Sequence, residues 1–253
     1  METPTRAVKS ALQKVLPVSS VIRLRALNYR LRCAEECRLL ALLCDKAKCS
    51  IDVGANVGTL TYFLARYSSR VYAYEPNPEL AAKLRRGFGA NVSLIEAALS
   101  DTTGSAILKV PYYNGMEAHP LASIAQDFTD ADRVRMFSVR LRRLDDEQLT
   151  NVGFVKIDVE QNEEKVLRGG MQLFTTQRPN MLLEVTPRLY SKSLAEFLGD
   201  FLALGYRVYF LYERQLQRLE DYRIDVHNNS GNHGVSGKYV TNVVLTMRDL
   251  ATA

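Results

Sequence analysis

Ile51-Asp52-Val53-Gly54-Ala55-Asn56-Val57-Gly58 reads as a buried strand running into a helix through a tight turn. The residues before it, from Cys49, are small or β-branched. Those after it place Leu60, Phe63, Leu64 and Tyr67 at helical spacing. Gly54 suits a tight turn, and Gly58 suits close approach of backbone to ligand. A nicotinamide-type G-x-G-x-x-G is not met, because Asn56 and Thr59 stand at its second and third glycine positions. Outward from this turn, strand-like runs at 71–75, 92–95, 105–110, 137–141, 154–159, 181–185, 207–211 and 239–247 alternate with helical runs at 79–86, 163–173 and 191–204. The pattern predicts an α/β fold with a doubly wound, mostly parallel sheet, helices on both faces and a late antiparallel addition. In such a sheet the ligand sits at the carboxyl ends of the strands. Residues 111–135, with turn signals at Asn114-Gly115 and His119-Pro120, form an insertion of the kind used as a lid or binding loop.

Composition narrows the class. The chain has 253 residues, 47% hydrophobic and 24% charged, which excludes a disordered or collagen-like protein and a disulfide scaffold. Net charge is +5, and all of it lies in residues 1–44, with eight basic and three acidic side chains. The remaining residues balance, which argues against a nucleic-acid-binding body. We therefore divide the chain into a basic N-terminal helical extension, 1–44, and a catalytic domain, 45–253. No apolar run reaches the roughly 20 residues of a membrane span. Residues 3–32 hold Arg, Lys and Ser without acid, as transit peptides do, but the reading taken is cytoplasmic. Cys33, Cys37 and Cys44 share one helical face and lack CxxC spacing, so they read as small packing residues.

Glu75 lies 21 positions after Gly54, at the tip of the second strand. A carboxylate there can accept both ribose hydroxyls of an adenosine cofactor. Ile51–Gly58, Tyr74-Glu75-Pro76-Asn77-Pro78, Ala98-Leu99-Ser100-Asp101 and Lys156-Ile157-Asp158-Val159-Glu160 together resemble the FkbM-type methyltransferases. Glu163, Gly169, Arg178-Pro179 and Leu183-Glu184 continue the likeness, which spans about residues 45–186. The resemblance implies a class I, Rossmann-like, seven-stranded methyltransferase fold and S-adenosylmethionine as cofactor. It implies that Gly54, Asn56 and Gly58 cradle the methionine part, that Glu75 binds ribose, and that the turn from Ala98 through Ser100 to Asp101 flanks adenine. Asp52, Thr59, Pro76 and Asp158 complete the candidate cofactor set. Gln161 departs from the pattern, which has Gly there.

Methyl transfer needs an aligned acceptor and, for a hydroxyl, a base. Asp158, Glu160 and Glu184 stand at adjacent strand tips and are the candidate catalytic acids. In an extended segment Asp158 and Glu160 would point to the same side. No metal is assigned. His119, His227 and His233 read as surface loop residues, the last two as reserve bases. The expected activity is O-methylation of a hydroxyl on a small molecule or glycan, without nucleic acid. Rival readings are a cofactor-binding pseudoenzyme and a protein or RNA methyltransferase. The basic segment reads as a helical lid, or as an arm through which residues 1–32 meet an anionic membrane.

Overall fold

The computed structural model describes residues 16–232, 235 and 237–250. Residues 1–15 and His233 therefore lie outside the described residues. Pro17 caps helix α1 (Val18–Arg32), and Cys33 joins it to α2 (Ala34–Leu43). Then come β1 (Cys49–Val53), α3 (Thr59–Tyr67), β2 (Arg70–Tyr74), α4 (Pro78–Gly87) and β3 (Val92–Ile95). The alternation is broken by β4 (Ala98–Leu99), β5 (Gly104–Tyr113), β6 (Met116–Glu117) and β7 (Arg133–Arg142). It resumes with β8 (Val152–Ile157), α5 (Glu163–Gly169), α6 (Met171–Gln177), β9 (Asn180–Glu184), α7 (Leu194–Phe197) and α8 (Gly199–Ala203). The chain closes with β10 (Arg207–Tyr212), β11 (Gln215–Arg218), α9 (Ile224–His227) and β12 (Asn242–Thr246).

The main sheet runs β11-β10-β12-β9-β8-β1-β2-β3. From β9 to β3 every pairing is parallel, and β12 is antiparallel to both its neighbours. This is the expected doubly wound sheet with one strand more than seven. The extra strand is β11, which a two-residue turn at Glu213 and Arg214 folds back on β10.

The runs at 105–110 and 137–141 do not enter that sheet. They extend into the long hairpin β5–β7 and form a second sheet, β4-β7-β5-β6. Their one-sided pattern explains it: Leu108, Val110 and Val139 are buried while Ile107 and Met136 are exposed. The helix expected over 163–173 breaks at Gly170, and the one over 191–204 breaks at Leu198.

Each face of the main sheet is buried. Ile51, Val53, Val155, Ile157 and Leu183 face α5, α6 and α8. Phe154, Leu182, Val71 and Val244 face Phe63, Leu64 and Leu84, and the same cluster contains Ile22, Ala26, Cys37 and Leu40 of the N-terminal helices. Period-two alternation along β8 thus assigns each side chain to one core or the other. Of the cysteines only Cys37 is fully buried, and all four are free thiols.

Candidate active site

The order of strands reverses between β1 and β8, and the site forms there. Gly54 has φ +83, and a Cβ on it would lie 1.9 Å from the Asp158 carbonyl oxygen. Only glycine lets the chain leaving β1 pass so close to the chain leaving β8. Gly58 caps α3 at φ +80, and a Cβ there would meet Leu84 Cδ2 at 2.7 Å. Its bare backbone lets α3 pack closely on α4.

Glu75 is 5% exposed. Its Oε2 accepts from the Asn56 backbone N–H at 2.7 Å, and its Oε1 from that of Asn77 at 2.8 Å. Each oxygen keeps a lone pair for a further donor. Burial pushes its carboxyl up to about 7, although the two N–H donors oppose this. Gly54, Asn56, Glu75, Pro76 and Ala98 line one cleft, with His119 across it. The Oδ1 atoms of Asn56 and Asn162, both residues of this cleft, are buried with no hydrogen-bond partner among the described residues. Unpaired buried acceptors are costly and call for a donor. Two such acceptors beside the buried Glu75 carboxylate suit a ligand that brings hydroxyl or amine donors.

Other candidates stand behind the cleft. Asp52 is fully buried and accepts from Thr61 Oγ1 at 2.6 Å. Ser100 packs beneath α5, where a Cβ on Gly169 would lie 2.0 Å from its carbonyl oxygen. Asp101 pairs with Arg168 at 3.0 Å. Of the Ala98–Asp101 turn, Ala98 and Leu99 face the cleft, and Ser100 and Asp101 do not line it.

Gly54, Asn56 and Asp158 also line a second cavity, with Thr59, Lys156 and Glu184. Lys156 organises it. Its ammonium lies 3.0 Å from Asp158 Oδ2 and 3.6 Å from Asp52 Oδ1, and donates to the Gly54 carbonyl at 3.0 Å. Burial alone would lower its pKa, but Asp158 and Asp52 carry it above the ordinary lysine value. Asp158 is therefore an ion-paired group, whereas Glu160 and Glu184 make no salt bridge among the described residues.

Asp158, Glu160 and Glu184 come together around a third, smaller cavity with Glu163 and Tyr190. The extended geometry expected for 158–160 is not what brings them there. Glu160 and Gln161 have φ +53 and +74, so the chain turns left-handed directly after the strand tip. Such residues cost of order 1 kcal/mol each and need outside support. Glu163 Oε1 accepts from the N–H groups of Val159 and Gln161 at 3.1 and 3.3 Å. Ser123 Oγ and Gln126 Nε2, both in the insertion, donate to the Glu160 carbonyl at 2.5 and 3.2 Å. Burial first, and then Asp158 and Glu163, push the Glu160 carboxyl up to about 7. Burial and then Asp158 raise Glu184 as well.

The sequence reading missed several contributors. Glu36 of α2 is 8% exposed and accepts from the Tyr29 hydroxyl, and both side chains line the second cavity. Burial raises the Glu36 carboxyl. A charged residue on the inner face of an otherwise apolar helix was the available signal. His119 reaches Glu117 at 3.1 Å and lines the first cleft. His227 is not a surface residue. It is 6% exposed among Phe210, Tyr212 and Tyr222, and its Nδ1 accepts from the Arg223 N–H at 2.9 Å. Among the described residues no group of three or more His, Cys, Asp or Glu could hold a metal ion.

A family model described as the methyltransferase FkbM domain matches residues 52–208. The chain belongs to the FkbM methyltransferase family. Its cofactor is S-adenosylmethionine, in keeping with the buried acceptors and the Glu75 carboxylate of the first cleft. Among solved structures, an FkbM methyltransferase from Methylobacillus flagellatus is 14% identical with a TM-score of 0.51, over 87% of this chain and 52% of that one. The chain thus spans about half the length of that protein. SMU.1697c of Streptococcus mutans, assigned as a methyltransferase and solved with S-adenosylhomocysteine, is 11% identical, with a TM-score of 0.43 and coverage of 85% and 96%. An rRNA methylase from Streptococcus thermophilus is 12% identical, with a TM-score of 0.44 and coverage of 83% and 93%. No curated protein matches the sequence.

Proposed function

We propose that the chain methylates a hydroxyl group on a small molecule or glycan. One observation carries this reading. Glu160, its carboxyl pushed up to about 7, borders a cavity shared with Asp158 and Glu184 at the mouth of the cofactor cleft. A base works best when its pKa lies near the operating pH. The bound cofactor would supply an activated methyl on a sulfonium. Gly54, Asn56, Glu75 and Asn162 would hold it.

In this reading Lys156 fixes Asp158, and Asp158 supplies negative charge near the sulfonium. Glu184, raised by burial, carries a proton at neutral pH and hydrogen-bonds the acceptor oxygen. Glu160 takes the hydroxyl proton as that oxygen gains the methyl group. The balanced charge of residues 45–253 supports an uncharged hydroxyl acceptor over RNA, whose phosphates call for a basic track.

The test is Glu160→Gln, assayed with labelled S-adenosylmethionine and the small-molecule fraction of a cell extract. Turnover should fall about 10²- to 10³-fold while affinity for S-adenosylhomocysteine stays unchanged. The ionised carboxylate is the active form, so wild-type turnover should climb as pH rises through about 7, and the variant should lose that step. Turnover within threefold of wild type at every pH removes Glu160 from the reaction. A label found on nitrogen, or on RNA when the whole extract is supplied instead, refutes the hydroxyl acceptor.

A further inference from the structure

Helix α1 has two apolar faces, and only one is buried. At about 100° per residue, Val18, Ile22, Ala26 and Tyr29 fall on one side. Ile22 and Ala26 are buried there against α3 and α4, in the same core as Phe63, Leu64 and Leu84. On the opposite side Leu24, Leu27 and Leu31 fall within an arc of about 60°. They are 56, 44 and 85% exposed. Single exposed leucines are ordinary, but three in one stripe on one helix are an exposed apolar patch.

The charges around the stripe identify what it fits. Arg23 and Arg30 flank it on one side and Arg32 on the other, with Arg25 half-buried beyond it beside the core-facing side. Helix α1 contains no acidic residue. On the Arg25 side Lys83 and Arg86 of α4 border the same surface groove, so the basic rim continues past the helix. An apolar stripe with arginines on both sides suits the boundary between headgroups and acyl chains of an anionic bilayer. Leucine side chains enter the acyl region while arginines pair with phosphates and extend their stems along the interface. A protein partner would have to combine an apolar strip with acidic rails at matching spacing, whereas an anionic bilayer presents both along its whole surface.

We propose that α1 docks this chain on an anionic membrane surface through Leu24, Leu27 and Leu31, with its arginines on lipid phosphates. The same helix then contacts the lipid with one face and walls the second cavity with Tyr29 on the other.

Flotation of the full chain with vesicles tests this, using phosphatidylcholine alone and phosphatidylcholine with roughly a third phosphatidylglycerol. The chain should float with the anionic vesicles only, and the bound fraction should fall steeply as salt rises. The triple variant Leu24→Ser, Leu27→Ser, Leu31→Ser should weaken binding at least about tenfold. Arg23→Gln and Arg30→Gln should each weaken it about fivefold. Affinity for S-adenosylhomocysteine should not change in any of them, which shows that each variant is folded. No flotation with anionic vesicles, equal flotation with neutral ones, or wild-type flotation of the leucine variant overturns the proposal. So does a concentration-dependent dimer that the leucine variant abolishes while vesicles stay unbound, because the stripe is then a contact between two copies.

Discussion

Lys156 is the residue on which most of the site depends, and its replacement by methionine tests the electrostatic account directly. The side chain is 6% exposed and touches two carboxylates, Asp158 at 3.0 Å and Asp52 at 3.6 Å. Among the described residues Asp52 Oδ1 has no hydrogen-bond partner, and Lys156 is the cation beside it. Methionine keeps the length and the apolar stem, so little packing is lost. What changes is that two carboxylates lose their cation, one of them fully buried. Breaking a buried pair from one side costs about 3–5 kcal/mol. That is a large part of the roughly 5–15 kcal/mol that holds a domain folded. Urea unfolding of both proteins near neutral pH should show that loss. A loss below about 1 kcal/mol would refute the view that Lys156 neutralises these two acids.

Two further outcomes follow from the same geometry. Gly54→Ala places a Cβ 1.9 Å from the Asp158 carbonyl at φ +83, so the tips of β1 and β8 must part. Calorimetry should show at least about a hundredfold loss of S-adenosylhomocysteine affinity, worth about 2.7 kcal/mol, and affinity within threefold of wild type would contradict the close approach. Glu36 is a buried carboxylate of the second cavity with no lysine or arginine paired to it among the described residues, so Glu36→Gln should weaken S-adenosylhomocysteine about tenfold and leave 5′-methylthioadenosine, which lacks the amino-acid end, unaffected. Equal losses for both ligands would instead make Glu36 a purely structural group.

The parts of this molecule legible in its sequence are those governed by local chemistry. The turn at Gly54 was readable because a tight βα turn requires one residue type, and the spacing from it placed Glu75 at the strand tip, where it lines the first cleft. The parallel sheet followed from the alternation of apolar strands and helices. What was not legible depends on partners distant in sequence. Nothing local says that 104–113 and 133–142 pair with each other in a sheet of their own. Their alternation fits an edge of the main sheet equally well, and only the register from Gly104–Leu141 to Tyr112–Arg133 decides it. Likewise nothing local says that Leu84 packs on Gly58. Asp158 looks like a free carboxylate until Lys156 is placed two residues back on the same face of β8, reaching under it. Glu160 converges with Glu184 by a left-handed step that depends on Ser123, Gln126 and Glu163. Gln161 shows the same step from the other side. At φ +74 glycine is the unstrained choice, so the departure from the family pattern retains the backbone path and adds an exposed amide side chain beside the third cavity.

The N-terminal helices connect these threads. A charge surplus confined to residues 1–44 invites the idea of a detachable basic tail, but α1 and α2 share a core with the sheet and put Tyr29 and Glu36 into the second cavity. The solvent-exposed arginines of α1 are Arg23, Arg30 and Arg32, while Tyr29 lines the second cavity. That sorting keeps the exposed charge of the helix out of the cavity. It also makes the two faces separable: substitutions at Leu24, Leu27 and Leu31 should change what the protein sits on, and substitutions at Tyr29 and Glu36 should change what it binds.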